Sequence, residues 1–279
     1  MTTRATRTAP RQLTDLIDRE ALSPELRDLL GPQLHLLVGV AALGDRASLH
    51  DAERAWAKAA VSTLDVDIDI TGFENIDPGR RYIVAPLHEG FADVLALLNL
   101  PLNLNWVVRD ELLELPFFGT YLQAAGHIAI EPELPRAAFR RILEGAGEMF
   151  AADESLVVFP QGSVLGLDVS FMPGAFRLAE HFGLPVLPVV LTGSHRVWEY
   201  PFTTALRRGQ KVRMEVLESI EPEAAISGMR TLERDMKRRA LAATDAPARR
   251  YEPERDGYWK DHSFLIDPDL PGVAVATRP

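Results

Sequence analysis

Apolar residues recur along this chain in two rhythms, and the rhythms alternate. Short apolar runs stand at Tyr82–Ala85, Asn105–Val108, Gly126–Ile130, Ser155–Phe159, Val186–Leu191 and Lys211–Leu217. Bounded by turn residues, they read as strands. Leu64-Asp65-Val66-Asp67-Ile68-Asp69-Ile70 instead alternates apolar and acidic positions, which predicts a half-exposed strand with its acidic face toward solvent. Helical spacing predicts helices at Asp51–Ser62, at Val94–Leu100 (stopped by Pro101), at Arg136–Ala152, at Phe176–Phe182 and at Met229–Ala242, the last of them basic. A helix-like segment follows Glu111 and is broken by Pro116 and Gly119. Upstream, Arg11–Glu20 reads as a helix and Ser23-Pro24-Glu25 as an N-cap with proline at the first helical position.

Strands alternating with helices predict an α/β fold with a mixed, largely parallel central sheet flanked by helices, plus an N-terminal helical extension. The division expected is 1–63 as an arm and helical layer, 64–245 as the α/β core, and 246–279 as an irregular tail packing on the core. That tail is rich in Pro, Asp and Arg and carries Tyr251, Tyr258, Trp259 and Phe264.

Composition narrows the function classes. With 47% apolar residues, the 279-residue chain can bury a substantial core. A formal net charge of −10 argues against nucleic acid as a partner and against general adhesion to anionic lipid. No cysteine is present, so disulfides, thiolate metal sites and a cysteine nucleophile are excluded. The first residues lack the apolar core of a signal peptide. The Leu34–Leu43 run holds His35 and Gly39 and falls short of the roughly 20 residues of a membrane span. These features predict a cytoplasmic protein, with peripheral membrane contact left open through the exposed side of Leu34–Leu43.

The chemistry concentrates at Pro86-Leu87-His88-Glu89-Gly90-Phe91-Ala92-Asp93, between a strand and a helix. Five residues apart on one helix, His88 and Asp93 would point about 140° away from each other. With His88 in the turn and Asp93 in the first helical turn they can meet. Asp93 would then hold Nδ1–H and leave Nε2 as a base. Other strands also end in polar or glycine-containing turns: Arg109 after Trp106–Val108, Gln161-Gly162-Ser163 after Leu156–Phe159, and Thr192-Gly193-Ser194-His195 after Val186–Leu191. Ligands gather at the carboxyl ends of strands in open α/β sheets, so these ends are expected to build one site. A zinc motif is ruled out because the second histidine of H-E-x-x-H would fall on Ala92. The alternating aspartates lack the glycine of an EF-hand. Ser163 lacks a nucleophile elbow. No metal site is expected.

Four ordered blocks resemble the glycerolipid (lysophosphatidate and glycerol-3-phosphate) acyltransferase family. They are His88 with Asp93; Arg109, Glu111-Leu112, Pro116-Phe117-Phe118-Gly119 and Gly126; Phe159-Pro160-Gln161-Gly162-Ser163-Val164; and Phe171-Met172-Pro173-Gly174-Ala175 through Leu184-Pro185-Val186-Leu187-Pro188. The lead-in Thr71-Gly72-Phe73-Glu74-Asn75-Ile76 also fits. The resemblance implies an acyltransferase with a thioester donor, acyl-CoA or acyl-carrier protein, and a small-molecule or lipid acceptor bearing a hydroxyl or amine. His88 would be the general base, oriented by Asp93, with no acyl-enzyme and no cofactor. Glu89, Gly90, Arg109, Phe159, Pro160, Gln161, Gly162 and Ser163 would line the substrates, and backbone N–H groups around Gly162 are candidate oxyanion donors.

Departures from the family pattern carry their own expectation. Gln161 and Val164 stand where the third block has Glu and Arg, Glu131-Pro132 where the second ends in Asp-Arg, and Met172 where the fourth has Lys. Charge-assisted donors are the strong phosphate ligands, and only Arg109 keeps its place. An unphosphorylated acceptor is therefore expected, with a lysophosphatidate acceptor as the alternative if Arg136, Arg140 or Arg177 supplies the charge. A thioester hydrolase and a catalytically silent acyl-binding protein remain as rivals. The basic residues Arg207, Arg208, Lys211 and Arg213, and the helix with Arg230, Arg234, Lys237, Arg238 and Arg239, are solvated faces or a docking surface for an acidic carrier or CoA phosphates.

Overall fold

A computed structural model describes residues 32–90, 92–114, 118–131, 134–162, 169–197 and 206–243. Two helices, α1 (Pro32–Ala42) and α2 (Arg46–Leu64), precede an alternating series. The series runs β1 (Asp67–Thr71), β2 (Ile83–Pro86), α3 (Ala92–Leu97), β3 (Leu104–Arg109), α4 (Phe118–Ala124), β4 (Ile128–Ile130) and α5 (Pro135–Ala151). It continues with β5 (Ser155–Val157), α6 (Gly174–Phe182), β6 (Val186–Thr192), β7 (Lys211–Val216) and α7 (Pro222–Ala243). The expected Arg11–Glu20 helix, the Ser23-Pro24-Glu25 cap and the C-terminal tail lie outside the described residues.

The strands form one seven-stranded sheet in the order β1-β7-β6-β2-β5-β3-β4. Every neighbouring pair is parallel except β6 with β7, which is antiparallel. The fold is thus the α/β arrangement that the sequence predicts. Its directionality matters for function, because the carboxyl ends of β6, β2, β5 and β3 lie side by side on one rim. These are the four strands whose ends carry the candidate residues.

Alternation along each central strand feeds two cores. Val84, Val157, Leu187, Val189, Leu191, Val212 and Met214 pack on one face with α1, α2 and α3. Ile83, Ala85, Leu156, Val158, Val186 and Val190 pack on the other with α5, α6 and α7. Burial on both faces is why these strands read as unbroken apolar runs, and all seven residues of β6 are buried.

One expected boundary shifts. The strand placed from Leu64 begins at Asp67, because Leu64 closes the buried stripe of α2 that includes Leu49, Trp56, Ala57 and Ala60. Asp65 then ends the helix in the left-handed conformation, at φ 51°, a geometry that Asp tolerates better than most residues. Burying a leucine of this kind contributes about 1.5–3 kcal/mol, more than a strand start at an exposed edge would return. The remainder of β1 behaves as expected, with Asp67, Asp69 and Thr71 exposed.

Candidate active site

The turn after β2 is built around one carboxylate. Asp93 sits in the first turn of α3 with its side chain fully buried. Its Oδ2 accepts hydrogen bonds from the backbone N–H groups of Glu89 (2.7 Å) and Gly90 (3.0 Å). The same oxygen lies 2.7 Å from His88 Nδ1. A carboxylate only accepts, so Nδ1 carries the proton and Nε2 is left with its lone pair. Burying a charge is costly unless it is well bonded, and three donors on one oxygen meet that need. Asp93 Oδ1 and Ser194 Oγ are buried and make no hydrogen bond among the described residues.

β5 supplies the opposite wall. The His88 ring stacks on Phe159, with centroids 3.8 Å apart and planes inclined by 19°. The His88 backbone N–H donates to Gln161 Oε1 at 2.8 Å. Gln161 is buried, and its amide oxygen accepts as one oxygen of a glutamate would. Pro160 offers its carbonyl to the Met172 N–H at 2.8 Å. Gly162 turns the chain at φ 64°, where a side chain would strain the backbone. Its N–H donates to the Phe159 carbonyl at 3.0 Å. That N–H is therefore spent within the turn and is no free oxyanion donor, contrary to the expectation for Gly162. Ser163 and Val164 lie outside the described residues. Arg109, at the end of β3, pairs with Glu111 at 2.9 Å.

β6 contributes a contact that local spacing could not reveal. Glu89 Oε2 accepts from the Gly193 N–H at 2.9 Å and lies 3.0 Å from His195 Nδ1. Neither residue is the solvated or backbone-satisfied group that its type alone suggests. Alpha-7 likewise holds the segment leading away from the third block. Glu233 Oε1 accepts from the Phe171 N–H (2.8 Å) and from buried Lys237 (2.8 Å), and Lys237 also donates to the Val169 carbonyl (3.0 Å). Three further cations of this helix are also engaged: Arg230 pairs with Glu233, and Arg238 and Arg239 with Asp235.

His127 takes no part in this rim. With His50, Glu53, Tyr121, Asn105 and Glu154 it forms a buried cluster at the amino ends of β3, β4 and β5. His50 lies 3.0 Å from Glu53 and 2.9 Å from Glu154, and His127 2.8 Å from Asn105. Burial alone would depress the His50 imidazole, but its bonds to Glu154 and Glu53 lift it to about 9. Burial pushes His127 down to about 4. Among the described residues no group of three or more His, Asp or Glu side chains is placed to hold a metal ion, and no helix is long and apolar enough to cross a membrane.

A base with a fixed tautomer, stacked in place at a junction of strand ends, can take a proton from a bound hydroxyl. Comparison with known proteins points the same way. A family model described as Acyltransferase matches residues 67–192. A 1-acyl-sn-glycerol-3-phosphate acyltransferase of Helicobacter pylori is 29% identical over 160 residues, 56% of this chain and 66% of the relative. One from Cocos nucifera is 32% identical over 134 residues, 47% and 43% of the two chains. One from Pseudomonas aeruginosa is 29% identical over 161 residues, 56% and 61%. The chain thus spans between 43% and 66% of the length of these relatives. The crystal structure of the 1-acyl-sn-glycerophosphate (LPA) acyltransferase PlsC from Thermotoga maritima shares the fold. It superposes with a TM-score of 0.60 at 22% identity, covering 72% of this chain and 82% of that one.

Proposed function

We propose that this chain, whose residues 67–192 match a family model described as Acyltransferase, moves an acyl group from a thioester to the free hydroxyl of a lysophosphatidate. The observation that carries this reading is the His88–Asp93 pair, with Nδ1–H held by the buried carboxylate and Nε2 left for substrate. The curated relatives named above all carry 1-acyl-sn-glycerol 3-phosphate in their names, and this outweighs the missing cations that had favoured an unphosphorylated acceptor. The only free hydroxyl of such a lipid is at the sn-2 carbon.

In this mechanism His88 Nε2 takes the proton of the sn-2 hydroxyl while its oxygen attacks the thioester carbonyl. The tetrahedral intermediate collapses, the carbon–sulfur bond breaks, and the leaving thiolate receives the proton from the imidazolium. The Asp93 carboxylate stabilises that transient cation, and Phe159 fixes the plane of the ring. Acyl-CoA and acyl-carrier protein both fit as donors, and no cofactor enters. A lipid acceptor calls for work at a bilayer surface, in keeping with a cytoplasmic, peripheral protein, and Leu43 just past α1 is strongly exposed.

Thiol release by the purified protein, with acyl-CoA or acyl-carrier donor and with or without 1-acyl-sn-glycerol 3-phosphate, tests this. Acceptor-dependent release that His88→Ala lowers by about 10²–10⁴-fold is expected. Release without acceptor would mean a hydrolase. No release with either donor would leave an acyl-binding protein.

A further inference from the structure

A phosphorylated acceptor needs cations that the third and fourth blocks of this chain no longer provide. Arg109 is engaged with Glu111. Arg136 and Arg140 are exposed on α5, which follows β4. In the sheet order β4 stands three strands from β2, about 14 Å at the usual strand spacing. Arg177 is exposed on α6. By contrast β6 is the immediate neighbour of β2, about 5 Å away, and its end carries His195 and Arg196 on a single 3-10 turn, Ser194–Arg196.

That turn is fastened to the catalytic turn. Gly193 enters it at φ 89°, and a Cβ there would collide with the Lys211 carbonyl, so the bend tolerates no side chain. Glu89, next to His88, then receives both the Gly193 N–H and His195 Nδ1 on one oxygen. The Nδ1 proton of His195 faces the carboxylate, so Nε2 points away from it and meets no partner among the described residues. The His195 side chain is 19% exposed, the same as that of His88. Arg196 is half-buried, and no carboxylate pairs with it among the described residues. A half-buried guanidinium without a counter-charge among the described residues, beside an imidazole whose ring is already oriented, is suited to a phosphate.

We propose that His195 and Arg196 are the phosphate-reading residues of this site, with Glu89 as the positioning residue that fixes the His195 ring. Resting on the lysophosphatidate reading above, this assigns the job of the lost cations to the turn after β6. In the bound state the His195 ring, held through Nδ1 by Glu89, meets a phosphate oxygen with its Nε2 edge, while Arg196 donates to the same group. The phosphate belongs to the acceptor or to the nucleotide of CoA, which share this chemistry.

Steady-state kinetics of the full-length protein and its His195→Ala and Arg196→Ala variants separate the two. Acyl-CoA, acyl-pantetheine (which lacks the nucleotide) and 1-acyl-sn-glycerol 3-phosphate are the substrates. An acceptor KM raised about tenfold or more in each variant, with kcat little changed, is expected. A donor KM raised with acyl-CoA but not with acyl-pantetheine would support the proposal with the CoA phosphates as the ligand. Unchanged KM values for both substrates, or a fall in kcat alone, would overturn it and leave the turn a structural support. If His195→Ala does not fold, His195→Lys places a cation at that position and should keep a low KM, and a raised KM in it alone counts against the proposal. Wild-type transfer only to unphosphorylated acceptors would refute the lysophosphatidate reading, and the acyl-CoA against acyl-pantetheine comparison then decides this one.

Discussion

Single atoms at the end of β2 decide what the His88 ring can do. Asp93 Oδ2 gathers three donors, so its replacement alters both the ring and the turn. Asp93→Asn keeps an oxygen for these donors but removes the charge that stabilises the imidazolium. A kcat lowered about a hundredfold or more, at an acceptor KM close to wild type, is expected in initial-rate measurements. Gln161 offers a cleaner contrast. Gln161→Leu strands the part-buried His88 N–H and should lower stability by about 1–3 kcal/mol in urea unfolding, whereas Gln161→Glu retains an acceptor oxygen for that N–H at the cost of burying a charge. The His88–Asp93 contact was legible from a five-residue spacing across a strand–helix junction. The Glu89–His195 contact joins residues 106 apart in sequence, and no local pattern announces it.

Elements were legible in proportion to how completely they are buried. The central strands show as apolar runs because helices cover both of their faces, and α2, α5 and α6 show as stripes because one side of each is wet. Strand direction was less accessible. The antiparallel pairing of β7 with β6 depends on a connection whose geometry composition does not encode, so the sequence supports only a mixed, largely parallel sheet. Alpha-7 read as a basic surface helix because its buried Glu233 and Lys237 are four residues apart and look like any solvated pair. They instead clamp residues 169–171 against the helix. Glu233→Ala would remove the buried carboxylate that meets both Lys237 and the Phe171 N–H, and a loss of about 3–5 kcal/mol in urea unfolding is the expected outcome.

The whole molecule carries a proton-linked balance in the cluster at the amino ends of β3 to β5. His50 is lifted to about 9, above its ordinary value near 6.5. Its contribution is therefore complete below about pH 6.5 and is lost as pH rises toward 9. His127 is held down to about 4, so its neutral form contributes above about pH 6.5 and that contribution is lost as pH falls toward 4. Thermal unfolding across pH 4 to 9.5 should give a Tm maximum near neutrality. In His50→Gln the decline on the alkaline side should disappear, at a lower Tm throughout. None of this was visible beforehand, because charged residues at these positions resemble a wet helix face until the fold brings them together. The cluster and the His88–Asp93 site occupy opposite rims of the sheet, separated by the length of β3, which at six residues is about 20 Å. Free-energy changes at sites so far apart usually add. A lineage can thus retune its substrate range at the turns after β2, β5 and β6 while inheriting its thermal endurance intact from the other end, and a protein engineer can treat the two as independent dials.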